Sequence, residues 1–242
     1  MTDIDNQKAL ICFIANLLRD CNHVAVGAAS PIPGAAALLA KAAWSSPRYI
    51  NILGSVHNNF FVNGGQELFD CAAQGRIDAF FLSGGQIDGR ANINLMGLGD
   101  YPANSPRWSG TFGSAYLYFI IPKVILFREE HSRRVLVDKV DFISAPGTSE
   151  DTIFRTGGPY GLLTSKAFFR FQPSKKRFFL QSIHINSSLE DILDNTGFTF
   201  DHDDETPQTP APSSKLLDLL ESDIKNKLKD VYPQFAGRVF GG

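Results

Sequence analysis

The chain has 242 residues, of which 43% are hydrophobic and 20% are charged. A chain of this size and composition buries a substantial core, and we expect a single domain over residues 1–242. Its formal net charge of −2 gives no basic field for collecting nucleic acid or anionic membrane, so neither is an expected partner. The 3 cysteines follow no metal-ligand spacing, which predicts reduced thiols and no metal site.

The N-terminal segment carries acidic residues where a signal peptide needs basic ones. No apolar run in the sequence reaches the roughly 18 residues of a membrane-spanning helix. With reduced thiols, these features predict a cytoplasmic protein.

The first elements in chain order alternate between helix and strand. Residues 7–20 carry apolar side chains at helical spacing, and the β-branched run at 23–27 predicts a short strand. An alanine- and leucine-rich helix is expected over residues 34–44, and a second buried strand over residues 49–53.

A second group of strands follows. A helix ends at Gly75, an apolar strand covers residues 79–83, and further strands are predicted over 121–129 and 137–147. Strands that alternate with helices predict an α/β fold: a doubly wound, mostly parallel sheet with helices on both faces.

The pattern changes after about Gly161. Two aromatic and β-branched runs flank a hairpin turn at residues 172–177, which predicts an antiparallel C-terminal portion. A helix capped by Ser187 or Ser188 and stopped by Gly197 comes next. A polar linker over residues 201–214 then leads to a closing helix at 214–228.

Four glycine-bearing loops follow predicted strands, at residues 27–34, 52–59, 83–94 and 109–115. In an open parallel sheet, ligands bind at the carboxyl ends of the strands, where glycine lets the backbone approach them closely. Tight turns also need glycine whatever the function, so each loop alone is weak evidence for a site.

The third of these loops carries a specific motif, LSGGQIDGRANINLMGLGDY. It resembles the segment that follows the central strand in β-type subunits of family I coenzyme A transferases, glutaconate CoA-transferase-like. The segments RRVLVDKVDFISAPG and DILDNTGFTF resemble further family motifs, in the same order along the chain.

This resemblance implies a CoA-transferase-like fold, a coenzyme A thioester as substrate with no bound cofactor, and an α-type partner subunit in an α2β2 assembly. It also implies that substrate or CoA is bound by residues of three loops: Gly54, Gly84, Gly85, Gln86, Asp88, Asn92, Asn94, Gly110, Thr111, Phe112 and Gly113.

The family's catalytic glutamate precedes a small residue and a glycine at the end of the second strand. Anchored on Gly54, that position is Ile52, and residues 49–61 contain no carboxylate. The resemblance therefore implies that no glutamyl-CoA intermediate forms in this stretch.

The family's oxyanion loop, usually GSGGA, reads Gly110–Thr111–Phe112–Gly113 here. Phe112 stands where a glycine is usual. It either narrows the acyl pocket and resists a positive φ, or packs outward.

Among the polar residues nearby, His57 is a candidate base, although loop histidines are more often solvated surface residues. Ser55 is placed to bind a carbonyl or water, and no His–Asp pair is visible to activate it as a nucleophile. We interpret Glu67 and Cys71 as ordinary helix residues.

Three functions remain. We favour a subunit that acts on an acyl-CoA thioester as a hydrolase or decarboxylase of a CoA-bound degradation intermediate, with residues of the α-type partner taking part. The alternatives are the β-type subunit of a CoA-transferase and a non-catalytic structural subunit.

Overall fold

The computed structural model describes residues 3–241. Their contacts divide into two compact units, one of residues 3–81 with 210–241 and one of residues 82–209. The single domain expected from the sequence stays a prediction. Within residues 3–241, no helix is both long and apolar enough to cross a membrane.

The first unit is built on three parallel strands. Strand β1 lies between β2 and β3 and is parallel to both. The elements in chain order are α1 (Asp3–Leu17), β1 (His23–Val26), α2 (Pro31–Trp44), β2 (Tyr49–Ile52), α3 (Gly65–Ala73) and β3 (Ala79–Leu82). The C-terminal part adds α6 (Ser214–Leu219), a π-helix (Leu220–Ile224), α7 (Lys225–Leu228) and α8 (Pro233–Phe240).

Helix α2 shows why local sequence fixes these bounds. It begins at Pro31, earlier than expected, because a proline in the first helical turn lacks only an N–H that would have no helical partner. The residues from Ile32 to Ala40 are all buried. Their small alanine side chains let this helix pack closely against α1.

The second unit contains a small hairpin and a four-stranded sheet. The elements are β4 (Gln86–Ile87), β5 (Ile93–Asn94), α4 (Ser114–Ile120), β6 (Lys123–Phe127), β7 (Pro159–Leu163), β8 (Ala167–Gln172), β9 (Arg177–Ile183) and α5 (Leu189–Asn195). Strands β6 and β7 are parallel, whereas β7, β8 and β9 pair antiparallel. The mostly parallel α/β fold with an antiparallel C-terminal portion is confirmed.

The predicted N-cap of α5 is also confirmed. The Ser188 Oγ accepts a hydrogen bond from the Asp191 N–H at 3.1 Å. This bond satisfies one of the N–H groups that the first turn of a helix leaves free.

One predicted strand is wrong. Residues 137–147 form bends rather than a strand, and they bond to the small hairpin only at isolated points, Val137 to Ile87 and Ala145 to Ile93. The predicted closing helix is helical over all of residues 214–228, with the π-helix in its middle, and α8 follows it unpredicted.

Two histidines are buried beside the antiparallel strands. The His131 ring lies between the Thr164 and Thr196 hydroxyls at 2.8 and 3.0 Å, and His184 lies 2.8 Å from the Thr209 hydroxyl. Burial lowers the pKa of each from its ordinary 6.5 to about 4, and the nearby Lys166 charge lowers the pKa of His131 further. Both rings are therefore neutral in the folded protein near pH 7.

We expect these histidines to make stability fall as the pH drops. The unfolded chain takes up protons below pH 6.5 and the folded one only near pH 4, so stability is complete above 6.5 and is lost between these values. Across this window, the free energy of unfolding measured in urea should fall by about 1.4 kcal/mol less per pH unit in His131→Gln than in wild type. His202→Gln, which changes an exposed histidine, is the control. Equal pH dependence in both variants would contradict the assignment.

Candidate functional site

Strand β2 ends on a residue that points into the core. Ile52 is paired with Val26 in the parallel register and is fully buried. Its N–H donates to the Asn58 carbonyl at 2.7 Å, and its own carbonyl accepts from the Ser55 N–H at 3.0 Å. Gly54 is exposed, with a φ of 91° that favours glycine. The side chain at position 52 therefore belongs to the hydrophobic core of this unit.

Two predicted site residues lie together in this loop. Ser55 is buried, and its Oγ donates to the Asp230 carboxylate at 2.5 Å while accepting from the Asn58 N–H at 2.9 Å. The His57 side chain is exposed, as expected for either a base or a surface residue. The Ser55 hydroxyl proton is thus held by a carboxylate, although no His–Asp pair was visible in the sequence.

Asp230 is the residue that sequence reasoning missed. Its Oδ2 also accepts from the N–H groups of Val56 and His57 at 3.1 and 3.3 Å. The Ser55 bond, followed by these backbone bonds, holds the pKa of Asp230 below its usual 3.8. It lies 174 residues from Val56 along the chain, and no sequence motif marks it.

Glu67 and Cys71 both lie in α3, as the sequence predicted. The Glu67 carboxylate accepts from the Asn63 N–H at 2.9 Å just ahead of α3. Cys71 is half-buried and lines a cavity of 340 Å³ beside His23, Tyr49 and Phe60.

A buried polar chain runs beside that cavity. The His23 Nε2 lies 2.8 Å from the Asn51 Oδ1, and the Asn51 amide donates to the Asn59 Oδ1 at 3.0 Å. These bonds satisfy Asn51, which is completely buried next to Ile52.

In the second unit, the polar residues of the GGQID motif bond to one another and to nearby backbone. Gln86 Oε1 accepts from the Asn94 amide at 2.8 Å, and Asp88 Oδ2 accepts from the Asn92 amide at 3.0 Å. Asp88 Oδ1 also accepts from the backbone N–H of Asn92 at 3.0 Å. All four side chains are buried. They hold the β4–β5 hairpin in one conformation, and direct ligand binding by these side chains stays a prediction.

Two glycines of the motif lie where a side chain would clash with a neighbour. A Cβ at Gly84 would lie 2.5 Å from the Ile93 side chain, and one at Gly85 would lie 2.1 Å from the Trp108 ring. Any larger residue at Gly84 would displace the Ile93 side chain, and any larger residue at Gly85 would displace the Trp108 ring.

A cavity of 450 Å³ lies against this hairpin, with Asp88 and Asn92 in its wall. Its other charged lining residues are Arg90, Asp138, Lys139, Lys176 and Arg177. Lys176 and Arg177 form ion pairs with Asp151 and Asp201, so the lining carries no clear surplus of positive charge. Among residues 3–241, no His, Cys, Asp or Glu cluster is arranged to hold a metal ion.

The expected oxyanion loop is held in left-handed backbone. Gly110, Phe112 and Gly113 have φ values of 97°, 38° and 71°. The Phe112 ring is 71% exposed, so it packs outward, yet its backbone takes the positive φ that a bulky residue was expected to resist. This conformation strains a residue that has a Cβ.

We expect glycine to suit position 112 better than alanine. Phe112→Gly and Phe112→Ala both remove the ring, but only alanine keeps a Cβ in left-handed backbone. The glycine variant should be the more stable by about 1 kcal/mol in urea unfolding. The matched control is Ala115→Gly in α4, where glycine should destabilise by roughly 0.5–1 kcal/mol. A more stable Phe112→Ala would refute the strain.

Known proteins are similar in sequence to this chain over long stretches. The family described as coenzyme A transferase matches residues 11–195. The chain is 28% identical over 151 residues to the B-type subunit of glutaconate CoA-transferase from Acidaminococcus fermentans. It is also 28% identical over 154 residues to the B-type subunit of 3-oxoadipate CoA-transferase from Pseudomonas knackmussii. These matches cover 60% and 61% of this chain and only 56% and 59% of the relatives.

Solved structures show the same fold. The chain superimposes on glutaconate coenzyme A-transferase of Acidaminococcus fermentans with a TM-score of 0.79 at 21% identity, over 98% of this chain and 97% of that one. The decarboxylase AibA/AibB gives a TM-score of 0.75 at 20% identity, over 99% of this chain and 100% of the other. Because the family model matches most of its length, this chain belongs to the coenzyme A transferase family.

Proposed function

We propose that this chain is the β-type subunit of an enzyme that acts on an acyl-CoA thioester as a hydrolase or decarboxylase, without a glutamyl-CoA intermediate on this subunit. One observation carries the proposal. Ile52, where the family resemblance places the glutamate, is apolar and fully buried. A nucleophile is therefore missing from that place, both chemically and sterically.

The relatives support the substrate class and the partner. Two are named as B-type subunits of CoA-transferases, and one solved neighbour is a two-component decarboxylase. An α-type subunit is accordingly the expected partner, in an α2β2 assembly by family analogy.

Hydrolytic cleavage of a carbon–carbon bond and decarboxylation make a common demand on the enzyme. In the hydrolysis, water adds to a carbonyl β to the thioester and the bond between that carbonyl carbon and the α carbon breaks, which leaves a carboxylic acid. In the decarboxylation, the bond to the carboxylate breaks and carbon dioxide leaves. Each reaction leaves an enolate whose negative charge spreads onto the thioester oxygen. Such a reaction needs N–H donors at that oxygen and a proton donor at carbon, and it needs no carboxylate nucleophile. Within the first unit, we propose the exposed imidazole of His57 as a group for the proton transfer.

The β-type subunit of a CoA-transferase is the second candidate, and Asp230 favours it. This carboxylate lies against the same loop, 2.5 Å from the Ser55 hydroxyl. A carboxylate there is the kind of group that forms an enzyme–CoA thioester.

Intact-mass analysis separates these functions. The chain, co-expressed with an α-type subunit of the same organism, is incubated with a panel of acyl-CoA thioesters, with and without acetate. We expect products that keep their CoA and have gained water or lost carbon dioxide, with no CoA adduct on this subunit.

A CoA adduct on the chain, with acetyl-CoA as product, would support the transferase instead. If calorimetry detected no binding of any acyl-CoA to the assembly, a structural subunit would be the better description.

We expect that a glutamate cannot be restored at position 52. Ile52→Glu places an unpaired carboxylate in the core and should destabilise the chain by more than about 3 kcal/mol. Ile52→Val, a matched control, should cost roughly 1 kcal/mol. Chemical unfolding measures both. A stable Ile52→Glu that forms a CoA adduct would show that this position faces the ligand.

A further inference from the structure

The segment between α7 and α8 lies against two loops of the first unit. Asp230 bonds to the loop after β2, and Tyr232 bonds to the loop after β1. These loops leave neighbouring parallel strands at their carboxyl ends, where ligands bind in open α/β sheets. The C-terminal segment is therefore part of this candidate site.

Tyr232 fixes the segment in place. Its hydroxyl donates to the Gly27 carbonyl at 3.2 Å, and its ring lies 2.7 Å from where a Cβ at Gly34 would be. Only 8% of Tyr232 is exposed, and burial raises its pKa to about 12, so it stays a donor at neutral pH. Asp230, two residues earlier, is thereby held at a set place.

Asp230 meets three consecutive residues of the loop through one oxygen. Its Oδ2 accepts from the Ser55 Oγ, the Val56 N–H and the His57 N–H at 2.5, 3.1 and 3.3 Å. A carboxylate with three donors binds more strongly than a neutral acceptor would. The backbone at Ser55–His57 cannot turn without breaking these bonds, so they set the direction in which the exposed His57 side chain leaves the loop.

We infer that Asp230 is a positioning residue, which orients Ser55 and His57 for the acyl-CoA reaction. The inference rests on the proposed function. Asp230 acts through the loop and does not itself attack the thioester. Its carboxylate accepts the hydrogen bonds that the Ser55 hydroxyl and the N–H groups of Val56 and His57 would otherwise donate to water.

The test compares Asp230→Ala, Asp230→Asn and wild type, each assembled with the α-type subunit. Asp218→Ala is the control, since Asp218 is an exposed aspartate in α6 of the same C-terminal part. Hydrogen exchange at the Val56 and His57 amides reports on the loop. Steady-state turnover of the best acyl-CoA substrate reports kcat and KM separately, and thermal unfolding verifies that each variant is folded.

In Asp230→Ala, the two amides should exchange at least about tenfold faster. The kcat should fall by up to about a hundredfold, as for a displaced catalytic group, while KM changes little. Asp230→Asn keeps an oxygen acceptor and should lie between Asp230→Ala and wild type in both measurements. Asp218→Ala should match wild type.

Unchanged amide exchange in Asp230→Ala would overturn the inference, and so would faster exchange with an unchanged kcat. A CoA adduct on Asp230 would also overturn it, by making the residue a nucleophile. An inactive wild-type assembly would overturn the proposed function and this inference together, whereas an active wild type with an equally active Asp230→Ala would overturn the inference alone.

Discussion

The parallel pairing of β1 with β2 is the constraint on which the first unit depends. It sets Val26 beside Ile52, so the two loops that follow start next to each other at the same edge of the sheet. The pairing also turns the Ile52 side chain into the core. One register therefore decides both that the two loops start side by side and that the Ile52 side chain is turned away from them.

In the second unit, a hairpin with polar side chains is buried. Gln86, Asp88, Asn92 and Asn94 have side chains that need hydrogen-bond partners once water is removed. They find them within the hairpin and in the adjoining backbone, including the Asp141 N–H that donates to Gln86 at 2.9 Å. A motif that marks a family can thus be a structural device that fixes the backbone of the hairpin.

Together these features describe a family fold with an apolar side chain at the end of β2. Within the first unit, Ile52 is withdrawn into the core, while the Asp230 carboxylate of the C-terminal segment bonds to the loop that follows β2. Within the second unit, Gly110 and Gly113 have left-handed φ values.

The sequence by itself determined the fold class, most of the strands and the family, since periodicity, glycine turns and an ordered set of motifs are local features. It also predicted that Ile52 stands where the family has its glutamate, and this stays a prediction. Only the tertiary structure decided that Ile52 is core and that Phe112 points outward in strained backbone. It alone brought Asp230 to Ser55 across 175 residues of sequence, because such contacts depend on how distant elements pack and leave no periodic signal in the chain.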